Sequence, residues 1–340
     1  MATANDVDKS EFVERFRRDL APLVAPDRTI GLAVSGGPDS LALLLLAAEA
    51  RPLRVEAATV DHALRSESRA EAEMVAKVCE RLGVPHRILT ASWDEKPETA
   101  IQERARAMRY QLLGEWARER GINALLTAHH LDDQAETFLM RLARGAGVKG
   151  LAGMRRVSRA PAGTIAIVRP LLGWRHVELE AVCAAAGVEA IEDPSNEDQR
   201  FERVRMRKAL GEADWLDPAA VAGSAGYLAE ADRALHWATD LEWERAVTHM
   251  GGQIVYKPSD APREIRRRII MRAVLALATE GRGLDLRGSE LDQVLAALRS
   301  GRRATLRGVL CMGGPEWRFT RAPARRPATP ASAEAGAVEG

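Results

Sequence analysis

The hexapeptide Ser35-Gly36-Gly37-Pro38-Asp39-Ser40 constrains this chain more than any other stretch. It follows the β-rich run Thr29–Val34 and opens into the apolar run Leu41–Ala48. Adjacent glycines at a strand-to-helix turn let backbone N–H groups approach an anion closely. The helix behind them adds its positive end. Pro38 suits a first helical turn, where an amide hydrogen has no partner in any case. This is phosphate-binding chemistry, yet it lacks the Lys-Ser/Thr of a Walker A loop and the GxGxxG of a dinucleotide fingerprint. Asp39 adds a condition. A carboxylate beside phosphates repels them unless a cation lies between, which points to Mg2+. The plain alternative is an ordinary turn capped by an aspartate.

The pattern around this loop alternates. Phe12, Phe16 and Leu20 have helical spacing. Strand-like runs then fall at Thr29–Val34, Arg54–Val60, His86–Leu89 and Ala124–Ala128, with helical stretches at Ser40–Ala50, Glu67–Leu82, Thr99–Arg120 and Leu131–Arg144. Such alternation predicts an α/β fold, a mainly parallel sheet with helices on both faces. In such sheets ligands bind beyond the carboxyl ends of the strands. Four glycines in Gly145–Gly153 predict a flexible loop, followed by a strand at Thr164–Val168 and a helix at Trp174–Ala186. The pattern changes near residue 214. An alanine-rich helical connector (Asp214–Asp240), a strand (Gln253–Tyr256), helices at Ala261–Leu277 and Arg287–Arg299, and β-like runs at Ala304–Cys311 and Trp317–Thr320 predict a smaller α+β domain. The expected divisions are 1–213, 214–321 and a disordered tail, 322–340.

Composition mainly excludes. Of 340 residues, 46% are hydrophobic and 29% charged, as in folded soluble chains. Cys79, Cys183 and Cys311 stand singly, against a cysteine zinc site, an iron–sulfur site or a disulfide framework. The charged N-terminal stretch is unlike a signal peptide, and the longest apolar run is too short to span a bilayer. A cytoplasmic protein with no membrane partner is expected.

Three further stretches carry chemistry. Thr59-Val60-Asp61-His62-Ala63-Leu64-Arg65 ends the second strand, where His62 and Arg65 either touch ATP or substrate or belong to a solvated strand-end turn. His129-His130-Leu131-Asp132-Asp133-Gln134-Ala135-Glu136 opens a helix on which Asp133 and Glu136 share a face. Its carboxylates either cap the helix or act on a ligand, and its histidines fit no zinc spacing. Arg109, in Gln102–Tyr110, either clamps a phosphate or lies on a solvated face.

Taken together, SGGPDS, VDHALR, RARAMRY, HHLDDQAET, RGAGVKGLAGM, RPLL (169–172) and EDPSN (192–196) resemble the tRNA(Ile)-lysidine synthetase family of N-type ATP pyrophosphatases, over about residues 28–210. The resemblance implies an adenine nucleotide α-hydrolase-like catalytic domain over 1–213 and a tRNA-binding part over 214–321, where the match is loose. It implies that ATP adenylates the wobble cytidine (C34) of a CAU-anticodon tRNA(Ile) and that free L-lysine then displaces AMP. ATP-binding residues would be Ser35, Gly36, Gly37, Pro38, Asp39, Ser40, Asp61 and His62. Asp39, Arg109, Asp133 and Glu136 would be catalytic, with Asp39 on Mg2+. Arg144, Lys149, Arg203, Arg205 and Arg207 would meet tRNA. The run Arg203-Val204-Arg205-Met206-Arg207 keeps the family's arginines, with Val204 where its members carry asparagine.

Charge distribution agrees with an RNA partner. Residues 141–159 hold six Lys/Arg and no Asp/Glu, and residues 251–325 hold fifteen against seven. A PP-loop tRNA thiolase, a non-catalytic ATP-binding module and an amidating synthetase are the competing readings. The oligomeric state, a homodimer included, is left open.

Overall fold

The computed structural model describes residues 4–63, 68–93, 101–160, 165–190, 202–278, 286 and 288–323. Leu64, Arg65, Thr164, the EDPSN segment and all but the start of the expected tail lie outside them. The described chain forms two compact units, Met1–Arg233 and Ala234–Gly340.

In the first unit the strands are β1 (Ile30–Ala33), β2 (Val55–Asp61), β3 (His86–Thr90), β4 (Ala124–Leu126), β5 (Val157–Arg159) and β6 (Ala166–Val168). Their order is β3-β2-β1-β4-β6-β5, parallel except for β5. The expected α/β class therefore holds. Central β1 and β4 are nearly all buried, and so read as continuous apolar runs. Edge strand β5 is largely exposed and carries Ser158 and Arg159. Only pairing with β6 makes it a strand, and its sequence gives no alternation to predict it.

One face is covered by α1 (Ala4–Leu20), α2 (Pro38–Ala50), α3 (Ser68–Arg81) and α7 (His176–Ala185), around Phe16, Leu43, Val75 and Leu179. Trp174 joins this core, with Arg15 4.2 Å above its ring and its Nε1 donating to Asp19 at 2.8 Å. The other face packs Leu113, Trp116 and Ala117 of α4 (Ile101–Glu119) against Leu125 and Ile167. Beyond β4 run α5 (Leu131–Ala143), α6 (Val148–Leu151) and, later, α8 (Glu202–Glu212). The glycine-rich segment expected as a loop thus contains a helical turn.

Helix α9 (Pro218–Ala246) is longer than the expected connector, and the division between the compact units falls inside it, beyond the expected 213/214 boundary. The second unit adds β7 (Val247–Met250), β8 (Gln253–Tyr256), α10 (Arg263–Leu277), α11 (Gly288–Arg299), β9 (Arg303–Leu306), β10 (Val309–Met312) and β11 (Trp317–Arg321). These strands form an antiparallel sheet, β7-β8-β11-β10-β9, packed on α10 and α11. The run 304–311 is a hairpin, not one strand. Arg307 and Gly308 both have positive φ, 48° and 73°, the two-residue turn whose twist suits paired strands.

Candidate active site at the carboxyl edge of the parallel sheet

Strand order reverses direction between β1 and β4, so the loops after these strands diverge and leave a crevice. The hexapeptide follows β1. Ser40, buried in the first turn of α2, organises it. Its hydroxyl accepts the N–H groups of Ser35 and Gly36, each at 3.1 Å, and donates to the Gly37 carbonyl at 2.9 Å. Gly36 turns the chain at φ 96°, where a side chain would be strained. Two amides expected to face phosphate are thus turned inward. Ser40 N–H bonds Gly37 O, and Pro38 has no amide hydrogen, so Gly37 and Asp39 hold the hexapeptide's remaining backbone donors.

Asp39 meets two histidines. Its Oδ1 lies 2.7 Å from His176 Nδ1 and its Oδ2 3.5 Å from His130 Nε2. The imidazoles are stacked, with centroids 5.4 Å apart. Burial raises the Asp39 pKa, but hydrogen bonding and charge from both histidines outweigh it, and the carboxyl sits well below its usual range. Burial lowers His130, yet Asp132 and Asp39 drive it up to about 10. The ligating atoms of Asp39, His130 and His176 lie within 4.8 Å of one another, a group able to hold a metal ion among the described residues. The histidine joining His130 is therefore not its neighbour His129. His176 is distant in sequence, and no sequence signal marked it.

The start of α5 supplies the acids. Asp132 accepts Arg175 Nε at 3.0 Å and His176 N at 2.8 Å, which ties α5 to α7. Asp133 Oδ2 accepts His130 N at 3.2 Å, a helix-capping bond, and the side chain keeps 13% exposure. Glu136 is different. It is 1% exposed and lies between two arginines of α8, with Arg207 Nε donating to Oε1 at 2.7 Å and Arg203 Nε 3.1 Å from Oε2. Asp133 and Glu136, expected as one pair, thus have separate environments. Sequence spacing on α5 could not reveal that α8 packs against it.

After β2, buried Asp61 accepts Ala63 N at 2.9 Å and Ser68 Oγ at 2.6 Å, so its carboxylate shapes the turn. His62 is brought to Arg109, whose Nε and Nη2 lie 3.4 and 3.3 Å from His62 Nε2. Arg144, exposed, pairs with Glu202; Lys149 and Arg205 are exposed on α6 and α8. Gln134 fixes the glycine segment through Met154, with its Nε2 donating to Met154 O at 2.8 Å and its Oε1 accepting Met154 N at 2.7 Å. Gly153, at φ +65°, passes so close that a Cβ would sit 2.7 Å from Gln134 Oε1. All three cysteines are buried, and burial pushes their thiols up to about 12, 11 and 12 in chain order.

A PP-loop domain family matches residues 9–213. A tRNA(Ile)-lysidine synthase from Novosphingobium aromaticivorans is 48% identical, covering 92% of this chain and 94% of its own. Another from Zymomonas mobilis is 42% identical, covering 88% and 90%. Among solved structures, a U34-tRNA thiolase from Methanococcus maripaludis with its [4Fe-4S] cluster superposes with a TM-score of 0.53 at 17% identity, over 66% of this chain and 80% of the thiolase, which speaks for the fold alone.

Proposed function

Because the chain belongs to the tRNA(Ile)-lysidine synthase family of PP-loop proteins, we infer that it forms lysidine on tRNA(Ile), using ATP. We take the substrates to be ATP, free L-lysine and the CAU-anticodon tRNA, all in the cytoplasm. The observation carrying this reading is the meeting of the Ser35–Ser40 loop and the acid-rich start of α5 where the sheet order reverses.

In the first step the cytidine O2 attacks the α-phosphorus of ATP, and the bond to pyrophosphate breaks. Gly37 and Asp39 amides and the positive end of α2 hold the leaving pyrophosphate. Asp39, a carboxylate beside the loop whose oxygens face His176 and His130, is the residue that would hold Mg2+. When bound there, Mg2+ would neutralise charge on the pyrophosphate. Arg109, held beside His62 at the end of β2, is the cation we assign to charge on the α-phosphate.

In the second step the lysine ε-nitrogen attacks C2, the C2–O2 bond breaks and AMP leaves. The amine must lose a proton, although its free pKa is about 10.4. Asp133 Oδ1 takes that role in our reading, since Oδ2 already accepts His130 N. Glu136 contributes differently. It holds Arg203 and Arg207 in place, and so presents α8, with Arg205, to the tRNA backbone alongside Arg144 and Lys149.

Incubation with ATP, Mg2+, lysine and total tRNA, followed by nucleoside mass spectrometry, tests this reading. Lysidine that requires added lysine is expected; a thiolated nucleoside would replace the reading with the thiolase one. The cysteine chemistry weighs against the latter, because sulfur relay needs accessible thiolates.

A further inference from the structure

Arg169 is a buried cation that neither step above uses. It lies one residue past the end of β6, beside the loop that carries His129 to Asp133. The residue is only 8% exposed. Its Nη1 is spent on structure, donating to Arg155 O and Ser158 Oγ, each at 2.9 Å. Its Nε is buried without any hydrogen-bond partner. A buried, unmatched guanidinium donor costs stability unless a ligand completes it.

Arg169 lies beside the Tyr110 hydroxyl, which Arg106 also reaches at 3.4 Å, with the Arg106 guanidinium 5.0 Å from the Tyr110 ring centre. Next to them His129 bonds Thr127 Oγ1 at 2.9 Å. Arg169 and Arg106 thus flank the Tyr110 hydroxyl, at the strand edge next to the loop that leads to Asp133.

We propose that Arg169, with Arg106 beside it, binds the α-carboxylate of the free amino acid substrate. The inference rests on the lysine-using reading above. Lysine brings two ammonium groups and one carboxylate. Asp133 suits an ammonium, and the carboxylate needs a compact, planar cationic partner, which a guanidinium supplies. The buried position favours a small free molecule over a backbone phosphate. Arg169 is then a specificity contact that tells an amino acid from a simple amine.

The test compares lysine with lysinamide, which lacks the carboxylate charge, as substrates for the full-length protein with ATP and total tRNA. The wild type should prefer lysine by about 10- to 100-fold in kcat/KM. In Arg169→Gln this preference should collapse toward unity, through a higher KM for lysine, while pyrophosphate release without lysine is unchanged. Arg106→Gln, at an exposed position that carries less of the fold, should reduce the preference by about 3- to 10-fold. Equal use of lysine and lysinamide by the wild type, or an undiminished preference in the folded variants, overturns the proposal alone. So does a raised tRNA requirement with the amino acid preference intact, which would assign Arg169 to phosphate. Wild-type protein that makes no lysidine from lysine refutes the functional reading beneath it.

Discussion

Glu136 separates two roles that its sequence position leaves indistinct. Its carboxylate is 1% exposed, while Arg203 and Arg207 retain 42% and 51% exposure. Removing one partner of a fully buried ion pair costs about 3–5 kcal/mol, because the other charge is stranded. Here the cost depends on which side is removed. In Glu136→Gln the stranded groups are half-exposed guanidiniums that water can reach, so the loss should be only about 1–2 kcal/mol. For a unit of this size that is a fall in Tm of about 2–8 °C. In the Arg203→Gln, Arg207→Gln double variant the stranded group is the buried carboxylate, and the full figure of about 3–5 kcal/mol applies. Burial already pushes the Glu136 carboxyl above 4.5, against the pull of Arg207 and Arg203. A carboxyl whose folded pKa is raised contributes stability that is present below the unfolded value and lost as pH rises through the folded one. Without the arginines that rise is larger. The double variant should therefore recover much of its deficit as pH is lowered toward 4.5. Urea denaturation across pH, with tRNA binding and lysine KM measured alongside, checks each statement. A Glu136→Gln protein of unchanged stability and tRNA affinity, but with lysine KM raised ten-fold or more, would refute the anchoring argument and return Glu136 to the lysine site.

Three other outcomes follow from the same geometry. Asp39→Asn should lose Mg2+-dependent pyrophosphate release while remaining folded, since the amide matches the carboxylate in shape; unchanged release at saturating Mg2+ removes the metal role. Arg299, Arg302 and Arg303 are exposed around the turn from α11 to β9, and replacing each with glutamine should flatten the log–log salt dependence of tRNA binding by about 0.7–0.9 per lost contact. An unaltered slope would mean they meet only solvent. Finally, iodoacetamide at pH 8 should leave Cys79, Cys183 and Cys311 unlabelled in the folded protein, because burial holds the thiols protonated and out of reach; rapid labelling of any one would reopen the thiolase alternative.

What the sequence determined by itself is local. Two glycines, a proline and an aspartate between an apolar strand and an apolar helix are enough to specify a tight strand-to-helix turn at a helix N-terminus, since backbone conformation and helix polarity act over a few residues. The βα alternation specified a parallel sheet, and therefore the edge at which the loops after β1, β2 and β4 would gather. The tertiary structure decided what those residues touch. Ser40 binds the loop's own amides, Asp61 closes its own turn, and Glu136 is neutralised by arginines some seventy positions later in the chain. His176 joins Asp39 across 137 positions, and Arg169 is left with a buried unmatched donor. Strand β5 exists only through its pairing with β6. Each of these depends on segments that pack together only when the sheet forms. Charge and hydrogen-bonding capacity belong to a residue, but burial and the partner that satisfies it belong to the fold.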